Sequence, residues 1–176
     1  MRRLAVFVLL VGFVGFALVG VHPLRGVAQE STPMADMASM PAGAVGLTSR
    51  VLARIEPATA PGQELQLARV DVAPGATVAP HTHPGTIALC LESGSFNFGI
   101  VEGVATVTRA ATAATPEAAE QLAGAETVLE PGDCVTFDAS QTVHTLHNTG
   151  GPAVIWQAHL YALGEPPTTF LGTPTP

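Results

Sequence analysis

The sequence predicts an all-β domain, built from short antiparallel strands closed into a sandwich or barrel. Three observations carry this. From residue 49 to residue 163 apolar positions recur at a two-residue period, in short runs, rather than at the 3.6-residue period of a helix. Those runs are separated at close spacing by turn-forming residues, of which the chain holds 18 Gly and 15 Pro. Helix-length amphipathic stretches do not alternate with the strands, as a parallel α/β sheet would require.

Taken in order, the chain opens with Arg2 and Arg3, an apolar run from Leu4 to Val21, and small residues up to Ala28. A positive end, an apolar centre and Gly26-Val27-Ala28 read as a secretory signal peptide over residues 1–28. The run is nearly long enough to span a bilayer, so an uncleaved anchor helix is the alternative. Either reading places the remainder outside the cytoplasm, secreted or in the cell envelope, with membrane contact only through an uncleaved helix. Beyond residue 28 four arginines face all fourteen Asp and Glu residues, and there is no lysine. Such an acidic surface repels phosphate backbones, which argues against nucleic acid as a partner.

Residues 29–48 read as a flexible linker, dominated by small residues, Pro and Gly. Met34, Met37 and Met40 recur at every third position there. Thioethers suit Cu(I), but low-complexity composition is the simpler reading of so short a pattern. The barrel is expected over residues 49–165. Its strands read as 50–55, 64–72, 78–83, 86–92, 95–100, 104–109, 126–130, 134–137, 143–147 and 153–161. Within 64–72 the apolar positions are Leu65 and Leu67, then Val70 and Val72, so the phase changes at Ala68 and predicts a bulge. Pro74-Gly75 reads as a turn and Pro84-Gly85 as a break in the ladder. Residues 110–125 are Ala-rich, and Thr115-Pro116-Glu117 has the order of a helix start. They predict a surface insertion carrying one short helix. Residues 166–176 read as an extended, disordered Pro-rich tail.

His81 and His83 fall on one face of a strand, because side chains at i and i+2 share a face. His144 lies in a second stretch, 131–148. Three imidazoles brought together by a sheet form a candidate metal site. The order of landmarks around them resembles the cupin family. Gly75 is followed by five residues, then His81-Thr82-His83, then three residues, Ile87, six residues and Gly94. This is the first cupin motif with Ile87 in the place of its glutamate. In the second motif Gly132 is followed by Asp138-Ala139-Ser140 where Pro-x-Gly stands in the family. His144 comes one residue late, and Asn148 then follows at the family spacing. The resemblance covers roughly residues 49–163.

The resemblance implies a cupin-type jelly-roll barrel with one divalent transition metal (Fe, Mn, Zn, Ni or Cu) on His81, His83 and His144. It also implies a small-molecule ligand or substrate, and a homodimer, since cupins often pair through strand edges. Ile87 removes the carboxylate ligand, leaving the ion one negative charge short and one position open. Three-His iron sites occur among cupin dioxygenases, where the substrate can supply the missing anion. A three-His zinc with a bound water is also chemically competent. Two readings follow. One is an exported metal-dependent cupin that acts on or binds a small molecule. The other is a non-catalytic ligand-binding or structural cupin that has lost its metal. Enzymatic activity is left open.

No substitute carboxylate stands out. Glu92 is five residues past Ile87 and so faces the other way, and Glu64 and Asp71 lie on another strand. His147, three residues after His144, also faces away. His159 reads as a hydrogen-bonded barrel histidine, with pocket lining or support of a metal ligand as the alternative. Asn148 reads as a turn residue. Cys90 and Cys134 are the only cysteines. They can pair outside the cytoplasm, but two separate buried thiols would pack equally well. Cys90 has opposite parity to Ile87 and should point away from the histidines. The sequence carries no phosphate-binding Gly-rich loop, G-x-S-x-G elbow or H-E-x-x-H.

Overall fold

The computed structural model describes residues 43–111 and 118–172. The signal or anchor segment (1–28), the Met34/Met37/Met40 pattern and the helix start at Thr115-Pro116-Glu117 lie outside the described residues. Among the described residues there are eleven strands and no helix. They are β1 (Ala44–Ile55), β2 (Gln63–Thr82), β3 (Gly85–Ser93), β4 (Phe96–Glu102), β5 (Ala105–Arg109) and β6 (Ala118–Leu122). β7 (Glu126–Leu129), β8 (Cys134–Asp138), β9 (Val143–His147), β10 (Ala153–Ala162) and β11 (Thr169–Phe170) complete the set. All pairings are antiparallel. The order is β6-β5-β8-β3-β10-β2-β9-β4-β7, with β1 and β11 also on β2. An all-β, jelly-roll-like antiparallel barrel is thus the observed fold.

β2 turns this one sheet back on itself. Residues 63–72 pair with β10, whereas 77–81 pair with β9. Between them Pro74 and Gly75 break the ladder, and Gly75 adopts φ +76°, a conformation that favours glycine. Asn148, fully buried, clamps this corner. Its Nδ2 donates to the carbonyls of Ala73 and Gly151, its backbone N–H to Ala76, and its carbonyl accepts from Gly75 N–H. The turn chemistry expected of Asn148 is present, since its Oδ1 accepts from Gly150 N–H at 2.9 Å, and the same side chain also clamps the corner of β2.

The two halves face each other across one apolar core. Val70, Leu89 and Ile155 come from one half and Phe96, Phe98 and Leu146 from the other. Full burial of such side chains contributes roughly 1.5–3 kcal/mol each. Side chains also link the ends of the strand order. Arg109 on β5 donates to Val128 O and Thr127 Oγ1 on β7 and to Asp133 Oδ2. Asp133, nearly buried, also accepts from the N–H groups of Ala110 and Glu130. Burial alone would raise its carboxyl, but these N–H groups and the Arg109 guanidinium hold it below the usual range.

Several expectations are corrected. β1 begins at Ala44, inside the stretch read as linker, because Ala44 and Val45 already pair with Val78 and Thr77. Residues 118–122 of the insertion form a strand against β5. The tail is ordered through β11, which pairs Thr169 with Thr82 and Phe170 with His81. The bulge expected at Ala68 is absent from β2, since its ladder with β10 runs unbroken from Val72 to Gln63. Leu65 and Leu67 instead point outward, at 41% and 42% exposure. The phase change in the sequence marks a change in what the inner face carries, from Gln66 at one end to Val70 and Val72 at the other. The irregularity sits in the partner strand, where β1 shifts register between Val51 and Ala53, opposite Ala68. Cys90 and Cys134 stand opposite each other in the β3–β8 ladder, Cα atoms 4.1 Å apart, and form a disulfide. Cys90 is exposed, away from the histidines as expected, so the reading of two separate buried thiols is overturned.

Asp133→Ala removes the acceptor of two backbone N–H groups and of Arg109 together. It is expected to cost about 2–4 kcal/mol by urea unfolding, because buried donors are left without partners. Arg109→Gln should cost less, because the two N–H groups remain paired. A loss below about 0.5 kcal/mol for Asp133→Ala would show that the network does not hold this end of the barrel.

Candidate metal centre

The three histidines meet because of the corner in β2. Past the corner, strand alternation puts His81 and His83 on the inner face, and the antiparallel ladder with β9 sets His144 opposite His81. The delay of His144 in the sequence is absorbed by a tight turn before β9. There Asp138 Oδ1 accepts from the N–H (3.0 Å) and hydroxyl (2.6 Å) of Ser140, replacing the Pro-x-Gly turn with an Asx-type one. The ring centroids lie 4.0 Å (His81–His144), 4.8 Å (His81–His83) and 5.2 Å (His83–His144) apart. One ring nitrogen from each residue lies within 4.8 Å of the other two.

The hydrogen bonds fix the tautomers. His81 Nδ1 donates to Ala79 O at 2.8 Å, His83 Nδ1 to Pro167 O at 2.6 Å, and His144 Nδ1 to Thr142 O at 3.3 Å. A carbonyl oxygen only accepts, so each Nδ1 carries its proton and each neutral ring presents a bare Nε2 lone pair. Burial, foremost, keeps the rings neutral. It lowers His81, and together with the other two imidazoles it lowers His144 to about 2. Burial followed by repulsion from His81 lowers His83 to about 3. Three converging lone pairs repel one another unless a cation lies between them. At bond lengths of about 2.0–2.1 Å a tetrahedral metal sets its ligand atoms about 3.4 Å apart, so a pair at the 4.8 Å limit would close by somewhat more than about 1 Å to hold one. The donor set fits a divalent transition metal: imidazole suits Zn, Cu, Fe and Ni, and carbonyls that orient the far ring nitrogen are the usual support of such ligands.

Ile87 points inward and is 1% exposed in the core. Other carboxylates are elsewhere. Glu92 lies outside, accepting from Trp156 Nε1. Asp71 pairs with Arg69 at the surface. Glu64 accepts from Gln66 Nε2. His147 is exposed, as expected of its parity. His159 lines the cavity beside the cluster, its Nε2 3.0 Å from Gln157 Oε1, and burial lowers it to about 4. It is thus both hydrogen-bonded and pocket-lining.

The cavity has a volume of about 330 Å³. Phe96, Phe98, Val70, Leu89 and Ile155 form its apolar wall, and Gln66, Gln157, His159 and Tyr161 its polar side. Tyr161 stacks between His83 (5.6 Å) and His159 (4.7 Å). Its hydroxyl is buried without a hydrogen-bond partner, and burial pushes the phenol up. Sequence reasoning missed the tail altogether. Pro167 holds His83, and Phe170 packs 5.5 Å from His81. Its only signal was Thr168-Thr169-Phe170-Leu171, a β-prone run among prolines.

No family model matches the chain, and no curated protein matches it. Solved structures similar to it include proteins described as cupins. A cupin-2 domain protein of Rhodospirillum rubrum is 12% identical with a TM-score of 0.48, covering 82% of this chain and 80% of that one. A cupin-like protein of Thermotoga maritima is 16% identical, TM-score 0.47, over 82% and 92% of the two chains. A cupin 2 conserved barrel protein of Salinispora arenicola is 16% identical, TM-score 0.43, over 66% and 76%.

These histidines are neutral in the folded protein but charge in the unfolded chain below about pH 6.5. The unfolded chain therefore binds more protons in acid. Their contribution is complete above about pH 6.5 and is lost as pH falls toward the folded value, about 3 for His83. Each can add a slope of roughly 1.4 kcal/mol per pH unit. The melting temperature of the chelator-treated protein should be level from pH 7 to 8 and fall steeply below 6.5. His83→Gln should flatten that fall, and a wild-type profile level down to pH 4.5 would contradict the burial of neutral rings.

Proposed function

We propose that this cupin-type barrel binds one divalent transition metal through Nε2 of His81, His83 and His144, and uses the adjoining cavity to bind and act on a small molecule. The observation that carries the reading is the commitment of all three Nδ1–H groups to backbone carbonyls, which leaves three unprotonated nitrogens converging in a buried place. Bound there, the metal would supply Lewis acidity or redox chemistry at the coordination positions the protein leaves open. The chain's own residues do the remainder. Ala79, Pro167 and Thr142 orient the ligand rings, Phe137, Phe98 and Phe170 pack around them, and β11 covers His81 from the tail side.

A second reading has its own support. Among the described residues no carboxylate lines the cavity, and its neutral His159 and high Tyr161 are poorly matched to proton transfer near neutral pH. Any reaction would depend on the metal, and without it the barrel is a small-ligand binding module. The proposal also sets the protein outside the cytoplasm. The apolar N-terminal run supports that, as does the Cys90–Cys134 disulfide, a bond that persists in oxidising compartments.

Elemental mass spectrometry of the purified protein is expected to find close to one transition metal per chain, and the His81→Ala/His83→Ala variant should lose it while melting as a folded protein. Wild-type protein that takes up none of Fe(II), Zn, Ni or Cu after reloading would leave only the binding-module reading.

A further inference from the structure

Among the described residues, the cavity beside the histidines carries one formal charge on its walls, Arg54. This side chain reaches the cavity through the irregularity in β1. Leu47, Ser49 and Val51 alternate inward, and unbroken alternation would bring Ala53 and Ile55 in next. The register shift between Val51 and Ala53 instead leaves Leu52 unpaired and sets Arg54 opposite Gln66. Ile55 is turned out, at 61% exposure. A bulge that re-aims one side chain into a pocket is a common device next to binding sites.

Arg54 does not stand alone. β10 extends the row, with His159 opposite Gln66. Arg54, Gln66 and His159 thus line up across three strands on the cavity side, and Tyr161 links His159 to His83. Among the described residues the ion pairs belong to Arg69 and Arg109, and Arg54 forms none. The nearby Glu64 is engaged by Gln66 and does not line the cavity. Much of the remaining wall is apolar and aromatic, with Phe96, Phe98 and Ile155 among its residues.

We propose that Arg54, assisted by Gln66, is the anion-recognition end of the ligand site, and that the ligand is a small amphiphilic carboxylate. The carboxylate sits on the guanidinium fork, whose geometry matches it, and the apolar body lies along Phe96, Phe98 and Ile155 toward the histidines. The inference deepens the ligand-site reading above by naming the ligand class.

The test uses benzoate and its uncharged counterpart benzamide as probes, by calorimetric titration of chelator-treated and metal-loaded protein. Wild-type protein should bind benzoate roughly tenfold or more tightly than benzamide, as a charge-assisted hydrogen bond provides. Arg54→Gln should abolish the preference, and Arg54→Lys should keep part of it. Arg54 is exposed and outside the core, so both variants should melt like wild type. Equal binding of the two probes, no binding of either, or a preference indifferent to Arg54→Gln overturns the proposal. A preference lost in His81→Ala/His83→Ala but retained in Arg54→Gln puts the anion on the metal, and this proposal alone falls. A preference that depends on Arg54 in a protein that takes up no metal sustains the proposal, and the metal reading falls.

Discussion

β2 is hydrogen-bonded to β1, β10, β9 and β11, and the corner at Ala73–Ala76 is what allows one strand to serve both halves of the barrel. Everything at the site depends on it. Before the corner β2 supplies Gln66 and Val70 to the cavity wall, and after it His81 and His83. Asn148 holds the corner with both its side chain and its backbone, and it ends the stretch that carries His144. Corner and third histidine are therefore set by the same few residues, so an error in one displaces the other.

Around this frame the chain assembles a site of unusual charge. The three rings are neutral, their protons held on the far nitrogen by carbonyls from β2, the tail and the approach to β9. Ile87 is a buried hydrocarbon of the core, and no acidic side chain among the described residues stands with the three histidines. The result is a ligand set with lone pairs but no negative charge, in a buried apolar place where unpaired charge is costly. Such a set leaves the charge of a bound dication uncompensated by the protein, which favours an anionic group among whatever completes its shell. The cation at Arg54, and the absence of acids on the cavity wall among the described residues, act in the same direction.

Much of this was legible in the sequence, for identifiable reasons. His81 and His83 share a face by strand periodicity alone, and the motif order brought His144 to them. The exposure of His147 and Glu92 followed from parity. What failed did so where a ladder partner decides. Ala44–Thr48 and Thr169–Phe170 become strands because β2 offers free edges to both, which composition does not record. The inward turn of Arg54 depends on a register shift between two strands, and Leu65 and Leu67, apolar yet outward, concealed that the inner face at that end is polar. The pairing of Cys90 with Cys134 required the β3–β8 register, which spacing in the chain does not give.

The central claim is that three unprotonated Nε2 atoms converge to hold a metal. Long-range proton–nitrogen NMR of the imidazoles tests it most directly, comparing chelator-treated protein with protein titrated with Zn²⁺ near neutral pH. The account predicts that His81, His83 and His144 are all neutral Nδ1–H tautomers, and that only their Nε2 signals shift together, saturating at one equivalent. Nε2–H tautomers at any two of them, or Zn²⁺ shifts confined to the exposed His147, would contradict it.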